Sequence, residues 1–237
     1  MWNLFSIFDF LSSINMRPIF EVSFTPSELA SNPNDSLMHY RANSSPAADM
    51  NKWYSFIKDL VQALVDRYGI DEIRLWRFEF YNEPNCGFFN GTKEEWFSMY
   101  NATAWAIKSV DPFIPVGGPA TAGLGGDVCK SKFGPLGIRE FLDYTSMTKT
   151  PADIVTTHLY PTDGEPTVSD VRDGFADAIK EAALNVSLFG PAGMPLVVTE
   201  FNAGENFRFS IKHIVKNEAP LISRNSTQAL GFHLDVT

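Results

Sequence analysis

The chain repeats one pattern: a short apolar strand, a polar turn rich in Gly and Pro, then a helix-spaced apolar stripe. From the second strand onward, successive strands begin roughly 35–45 residues apart. Five strands read this way: 17–24 (RPIFEVSF), 73–83 (IRLWRFEFYNE), 115–119 (PVGGP), 153–160 (DIVTTHLY) and 195–200 (PLVVTE). Alternating strands and helices build a parallel sheet with helices outside, because parallel neighbours need a crossover connection. The expected class is therefore α/β. With five strands it is either an open sheet or about five-eighths of a (β/α)8 TIM barrel, whose closure takes eight. No glycine-rich phosphate loop follows any strand, which argues against a dinucleotide site.

The helix signals are local. Residues 1–15 carry Leu4, Ile7, Phe8 and Leu11 at helical spacing, with Asp9 inside the apolar run and no basic start or small-residue cleavage site, so they read as an amphipathic helix rather than a signal peptide. Ser45 and Pro46 read as an N-cap and first helical position. Trp53, Phe56, Ile57, Leu60, Val61, Leu64 and Tyr68 follow as one stripe, and Gly69 stops it. Thr92 and Glu95 form a capping box for the next helix. Further helices are expected near 136–144, 168–184 and 211–215.

Composition narrows the function. The 237 residues, 44% hydrophobic, suffice for one sizeable core, and a barrel of that size is a single domain. A net charge of −9 argues against nucleic acid, whose phosphates require clustered Lys and Arg. No run of about 18 uncharged apolar residues codes a membrane span.

The strand 73–83 is where chemistry enters. Trp76, Phe78 and Phe80 share one face; Arg77, Glu79, Tyr81 and Glu83 share the other. Inward charges are costly to desolvate unless paired or functional, so they favour a polar site at the strand's carboxyl end. Glu83 alone, before Pro84, reads as a solvated turn residue, and so does Glu200 at the end of an apolar strand. Together they change the reading: both end parallel strands and project at one rim. Two carboxylates there are what glycosidic cleavage uses, one protonating the leaving oxygen and one meeting the oxocarbenium-like centre. His158 and Tyr160 end another strand, with Thr156 on the same parity. No second His or Cys stands at ligand spacing, so neither a metal nor another cofactor is expected. Cys86 and Cys129 follow successive strands; they form a disulfide in an oxidising compartment or are two free thiols.

The ordered segments WRFEFYNEPN (76–85), VGGPA (116–120), THLYPT (157–162) and VTEFN (198–202) resemble glycoside hydrolase family 39, and RPIFEVSFTPSELAS (17–31) resembles the segment just upstream in its β-xylosidases. The resemblance runs to about residue 223 and implies a (β/α)8 barrel with a retaining double displacement. It puts the acid/base on Glu83, the nucleophile on Glu200, a 2-hydroxyl ligand on Asn82, and further sugar contacts on His158 and Tyr160. It also implies that these strands correspond to strands three to seven, with no counterpart of one, two and eight in residues 1–223 and no resemblance over 224–237. The family holds β-xylosidases and α-L-iduronidases. The latter carry a Lys two positions after the strand-six His, where this chain has Tyr160, which favours a neutral pentose-type substrate such as a xylo-oligosaccharide over a glycosaminoglycan-type one. The alternatives are an iduronidase-type enzyme or, given the missing strands, a non-catalytic carbohydrate-binding remnant.

Six Asn-x-Ser/Thr sequons begin at Asn34, Asn43, Asn90, Asn101, Asn185 and Asn225. Chance gives about two in a chain with 15 Asn. The excess points to N-glycosylation and the secretory pathway, hence an extracellular or lysosomal protein, and to this chain being a piece of a longer one.

Overall fold

A computed structural model describes residues 2–37, 39, 41–124, 129, 133–160 and 171–201. The expected helix at 211–215, the sequon at Asn225 and the tail 224–237 lie outside the described residues. Five parallel strands pair in chain order, β1 (Ile19–Val22), β2 (Arg77–Phe80), β3 (Val116–Ala122), β4 (Ile154–Leu159) and β5 (Leu196–Phe201). Helix α1 (Trp2–Ser13) precedes β1, and between the strands lie α2 (Met50–Tyr68), the single turn α3 (Ile70–Ile73), α4 (Lys93–Val110), α5 (Ile138–Thr148) and α6 (Val171–Phe189).

The sheet is curled, not open. Thr199 of β5 donates a hydrogen bond to Glu79 of β2 at 2.7 Å, across two intervening strands. Only a half-barrel whose concave faces approach one another permits this.

Most local signals fold as written. Gly69 ends α2 at φ +84, a conformation that penalises a Cβ. Thr92 and Glu95 close both halves of the capping box on α4. Asp49, not Ser45, caps α2: its carboxylate accepts from the Asn51 and Lys52 amides, while Ser45 is buried against Asn32 and Asn43. In α1 the packed stripe is Leu4, Phe5, Phe8 and Leu11; Ile7 points outward. Asp9 pairs with Arg67 and accepts from the Tyr68 hydroxyl, so the charge inside the apolar run serves the α1–α2 contact.

The core lies between the sheet and α2, α4 and α5. Phe80 meets Trp96 and Tyr100 with ring centroids 5.3 and 5.7 Å apart, and Phe141 closes on Tyr100 at 4.9 Å. Each such pair contributes about 0.5–1.5 kcal/mol beyond its area. Trp53 of α2 donates to Thr103 of α4 at 2.8 Å, satisfying a polar group inside that contact. Gly117 sets the approach of β3 to β4, since a Cβ there would lie 1.9 Å from the Ile154 carbonyl oxygen.

Candidate active site

The concave face carries an acidic cluster. Glu21 of β1 stands in register with Glu79 of β2, and Glu79 with Gly117 of β3. Glu83 follows β2, His158 lies on β4, and Glu200 is the last residue but one of β5. His158 Nδ1 is 2.9 Å from Glu83 Oε1 and 3.6 Å from Glu200 Oε2. The nearest donor atoms of all three side chains lie within 4.8 Å of one another. Tyr160 donates its hydroxyl to Glu200 Oε2 at 2.6 Å. The sequence-expected residues Glu83, Glu200, His158 and Tyr160 thus meet in one place, 75 and 40 positions apart along the chain in their two hydrogen-bonded pairs.

Burial differentiates the members. His158 is wholly buried, the Glu83 side chain is 15% exposed, and that of Glu200 is 42% exposed. Burial works against the His158 cation. The hydrogen bond to Glu83 and the charges of Glu200, Glu79 and Glu83 act the other way, and together they raise its pKa. Nδ1 donates to Glu83 when it carries the ring proton, as it always does in the His158 cation. Burial raises the Glu79 carboxyl and outweighs the opposing pull of His158 and Thr199. Burial also pushes Glu21 up to about 7.

Asn82 stands next to Glu83, and its Oδ1 is buried with no protein partner among the described residues; neither has His158 Nε2. A buried polar atom left unpaired costs about 1–3 kcal/mol, so both atoms mark polar capacity that the described residues do not use.

The turn after β2 departs from the alternation expected over 73–83. Regular strand stops at Phe80, because Tyr81 and Glu83 take positive φ, +69 and +38. Tyr81 therefore does not share the Glu79 face. Its ring is buried against Phe24, Phe80 and Phe89, at centroid distances of 5.7, 5.6 and 5.1 Å. The turn is tied to β3: Glu83 N–H donates to the Ala120 carbonyl at 2.9 Å. The buried Asn85 side chain donates to the Ala122 carbonyl and accepts from the Ala122 amide, both at 3.0 Å. Left-handed conformations outside glycine cost about 1–2 kcal/mol each, and these bonds hold them.

Cys86 and Cys129 are joined by a disulfide, with Cα atoms 4.8 Å apart, linking this turn to the loop after β3. Among the sequons, Asn34 and Asn90 are exposed and Asn101 and Asn185 half-buried. The glycosylation expected at Asn43 does not fit the fold: its side chain is 3% exposed and bonded to Asn32 and Ser45. Asn43 is a structural residue.

Glu21 and Asn85 were not singled out by the sequence. The parity argument applied to Glu79 would have found Glu21, the lone charge between Phe20 and Val22 of an apolar strand. Asn85 carries no such signal, because its role depends on where the turn meets β3.

The family model for glycosyl hydrolases family 39 matches residues 1–227. The chain belongs to this family. It is 38% identical over 207 residues to a β-xylosidase of Caldicellulosiruptor saccharolyticus, covering 85% of this chain and 40% of that one. A β-xylosidase of Geobacillus stearothermophilus is 39% identical over 156 residues, 65% of this chain and 29% of that one. The solved GH39 β-xylosidase from Caulobacter crescentus superposes with a TM-score of 0.69 at 30% identity, over 83% of this chain and 39% of that one. The chain therefore spans about 40% or less of the length of these relatives. The curled five-stranded sheet is accordingly a partial (β/α)8 barrel.

Proposed function

We propose that this chain carries the catalytic centre of a retaining, β-xylosidase-like O-glycosidase. The observation that carries the reading is the approach of Glu83 and Glu200, whose nearest carboxylate oxygens lie within 4.8 Å. Carboxyl groups about 5–5.5 Å apart suit direct attack, whereas an inverting pair about 6.5–9.5 Å apart leaves room for a water. In the proposed reaction Glu200 attacks the anomeric carbon while Glu83 protonates the departing oxygen, giving a glycosyl ester. Glu83 then takes a proton from water, which displaces Glu200 with net retention.

The more sheltered position of Glu83 suits a group that must carry a proton in one step and release it in the next. Tyr160 orients the Glu200 carboxylate, His158 spans both acids, and Asn82 Oδ1 accepts from a sugar hydroxyl. A neutral pentose glycoside is favoured over a uronide, because Tyr160 stands where a cation for a substrate carboxylate would be expected. The exposed sequons Asn34 and Asn90 and the Cys86–Cys129 bond suit a protein matured in the secretory pathway; a mass shift on N-glycosidase treatment of the native protein would support that, and no shift would oppose it.

The function is tested with aryl β-D-xyloside and aryl α-L-iduronide. Turnover of the xyloside is expected, reduced at least about a hundredfold in Glu83→Ala and Glu200→Ala. Equal rates in the three proteins would refute the assignment, binding of xylo-oligosaccharide without turnover would indicate a carbohydrate-binding remnant, and preference for the iduronide would move the substrate class.

A further inference from the structure

Glu79 lies on β2 four residues before the proposed acid/base Glu83, and it feels the charge of Glu200. Glu79 is 2% exposed and accepts from Thr199 Oγ1 at 2.7 Å. Thr199 is no ordinary strand residue. The β4–β5 register pairs Thr157 with Val198 and His158 with Glu200, which leaves Thr199 as an extra residue on β5. Successive side chains of a regular strand point to opposite faces. Here Thr199 reaches Glu79 and the adjacent Glu200 reaches Tyr160 and His158, all on the concave side. A bulge is what lets two neighbours share a face, and bulges beside active sites re-aim side chains in this way.

We propose that Glu79 is a positioning residue for Glu200: its carboxyl anchors the Thr199 bulge, and the bulge turns the Glu200 carboxylate into the site. The role rests on the reading of Glu200 as the nucleophile. A bulged residue loses its place in the hydrogen-bonded ladder, and the Thr199–Glu79 bond supplies a replacement tie from two strands away. Burial favours the neutral form of Glu79, which suits this task. A protonated carboxyl still offers an acceptor oxygen to Thr199 but adds no negative charge near Glu21 and Glu200.

The test is the rate at which a 2,4-dinitrophenyl 2-deoxy-2-fluoro-β-D-xyloside esterifies the protein, followed by intact mass spectrometry as a function of reagent concentration. Thr199→Val, which keeps the shape and strand preference, and Glu79→Ala should slow the limiting rate about 10–100-fold, with the half-saturating concentration changed less than about threefold. Glu79→Gln keeps the acceptor and should stay within about threefold of the unmodified protein. If Glu79→Ala does not fold, Thr199→Val still decides. A Thr199→Val protein labelled as fast as the unmodified one, or a Glu79→Gln as slow as Thr199→Val, overturns the positioning role while leaving the nucleophile in place. An unmodified protein that is never labelled overturns both.

Discussion

Asn85→Ala removes one small side chain and two hydrogen bonds at once. Asn85 is fully buried, and its amide imitates a ladder pair, giving one bond to the Ala122 carbonyl and taking one from the Ala122 amide. Truncation strands both backbone groups inside the protein. Each buried unpaired group costs about 1–3 kcal/mol, so a loss of roughly 3 kcal/mol in total is expected after partial rehydration. For a chain of this size each kcal/mol is worth about 2–4 °C in Tm, which gives a fall of about 6–12 °C by calorimetry. Asn85→Asp sharpens the test. It keeps the acceptor but loses the donor and turns a carboxylate toward the Ala122 carbonyl. Near neutral pH it should be at least as damaging as Asn85→Ala, and it should recover part of the loss on acidification, when the carboxyl can donate. A fall below about 2 °C for Asn85→Ala, or an Asn85→Asp protein insensitive to pH, would refute the clamp.

Further outcomes follow from the acidic face. Burial moves Glu21 from 4.5 to about 7, so the folded state binds its proton more tightly than the unfolded chain. That contribution to stability is complete below about pH 4.5 and is lost as pH rises through about 7. Glu21→Gln should therefore leave the denaturation midpoint unchanged near pH 4 and raise it near pH 8; equal effects at both would contradict the assignment. Tyr160→Phe removes the 2.6 Å hydrogen bond to Glu200 and should lower kcat for aryl xylosides about tenfold with little change in folding stability; an unaltered kcat would exclude an orienting role.

The strand–helix alternation was legible because each element's apolar period is local, and the same parity placed Glu79 inward. The meeting of Glu83, His158 and Glu200 was legible only through a rule of architecture, that residues at the carboxyl ends of parallel strands share a rim. Parity failed where the backbone leaves the strand: the positive φ of Tyr81 and Glu83 and the bulge at Thr199 come from tertiary ties to Ala120, Ala122 and Glu79, which no local pattern encodes. Ser45 failed as a cap for a related reason. It satisfies cap chemistry, but Asn32 and Asn43 claim its hydroxyl, and Asp49 takes the helix start.

Azide separates the two proposed carboxylate roles. In Glu200→Ala with a dinitrophenyl β-D-xyloside, azide should restore turnover and yield the α-xylosyl azide, of inverted configuration. In Glu83→Ala it should intercept the glycosyl ester and yield the β-azide, of retained configuration. The same anomer from both variants, or rescue of neither while the unmodified protein turns over, would contradict the assignment of Glu200 as nucleophile and Glu83 as acid/base.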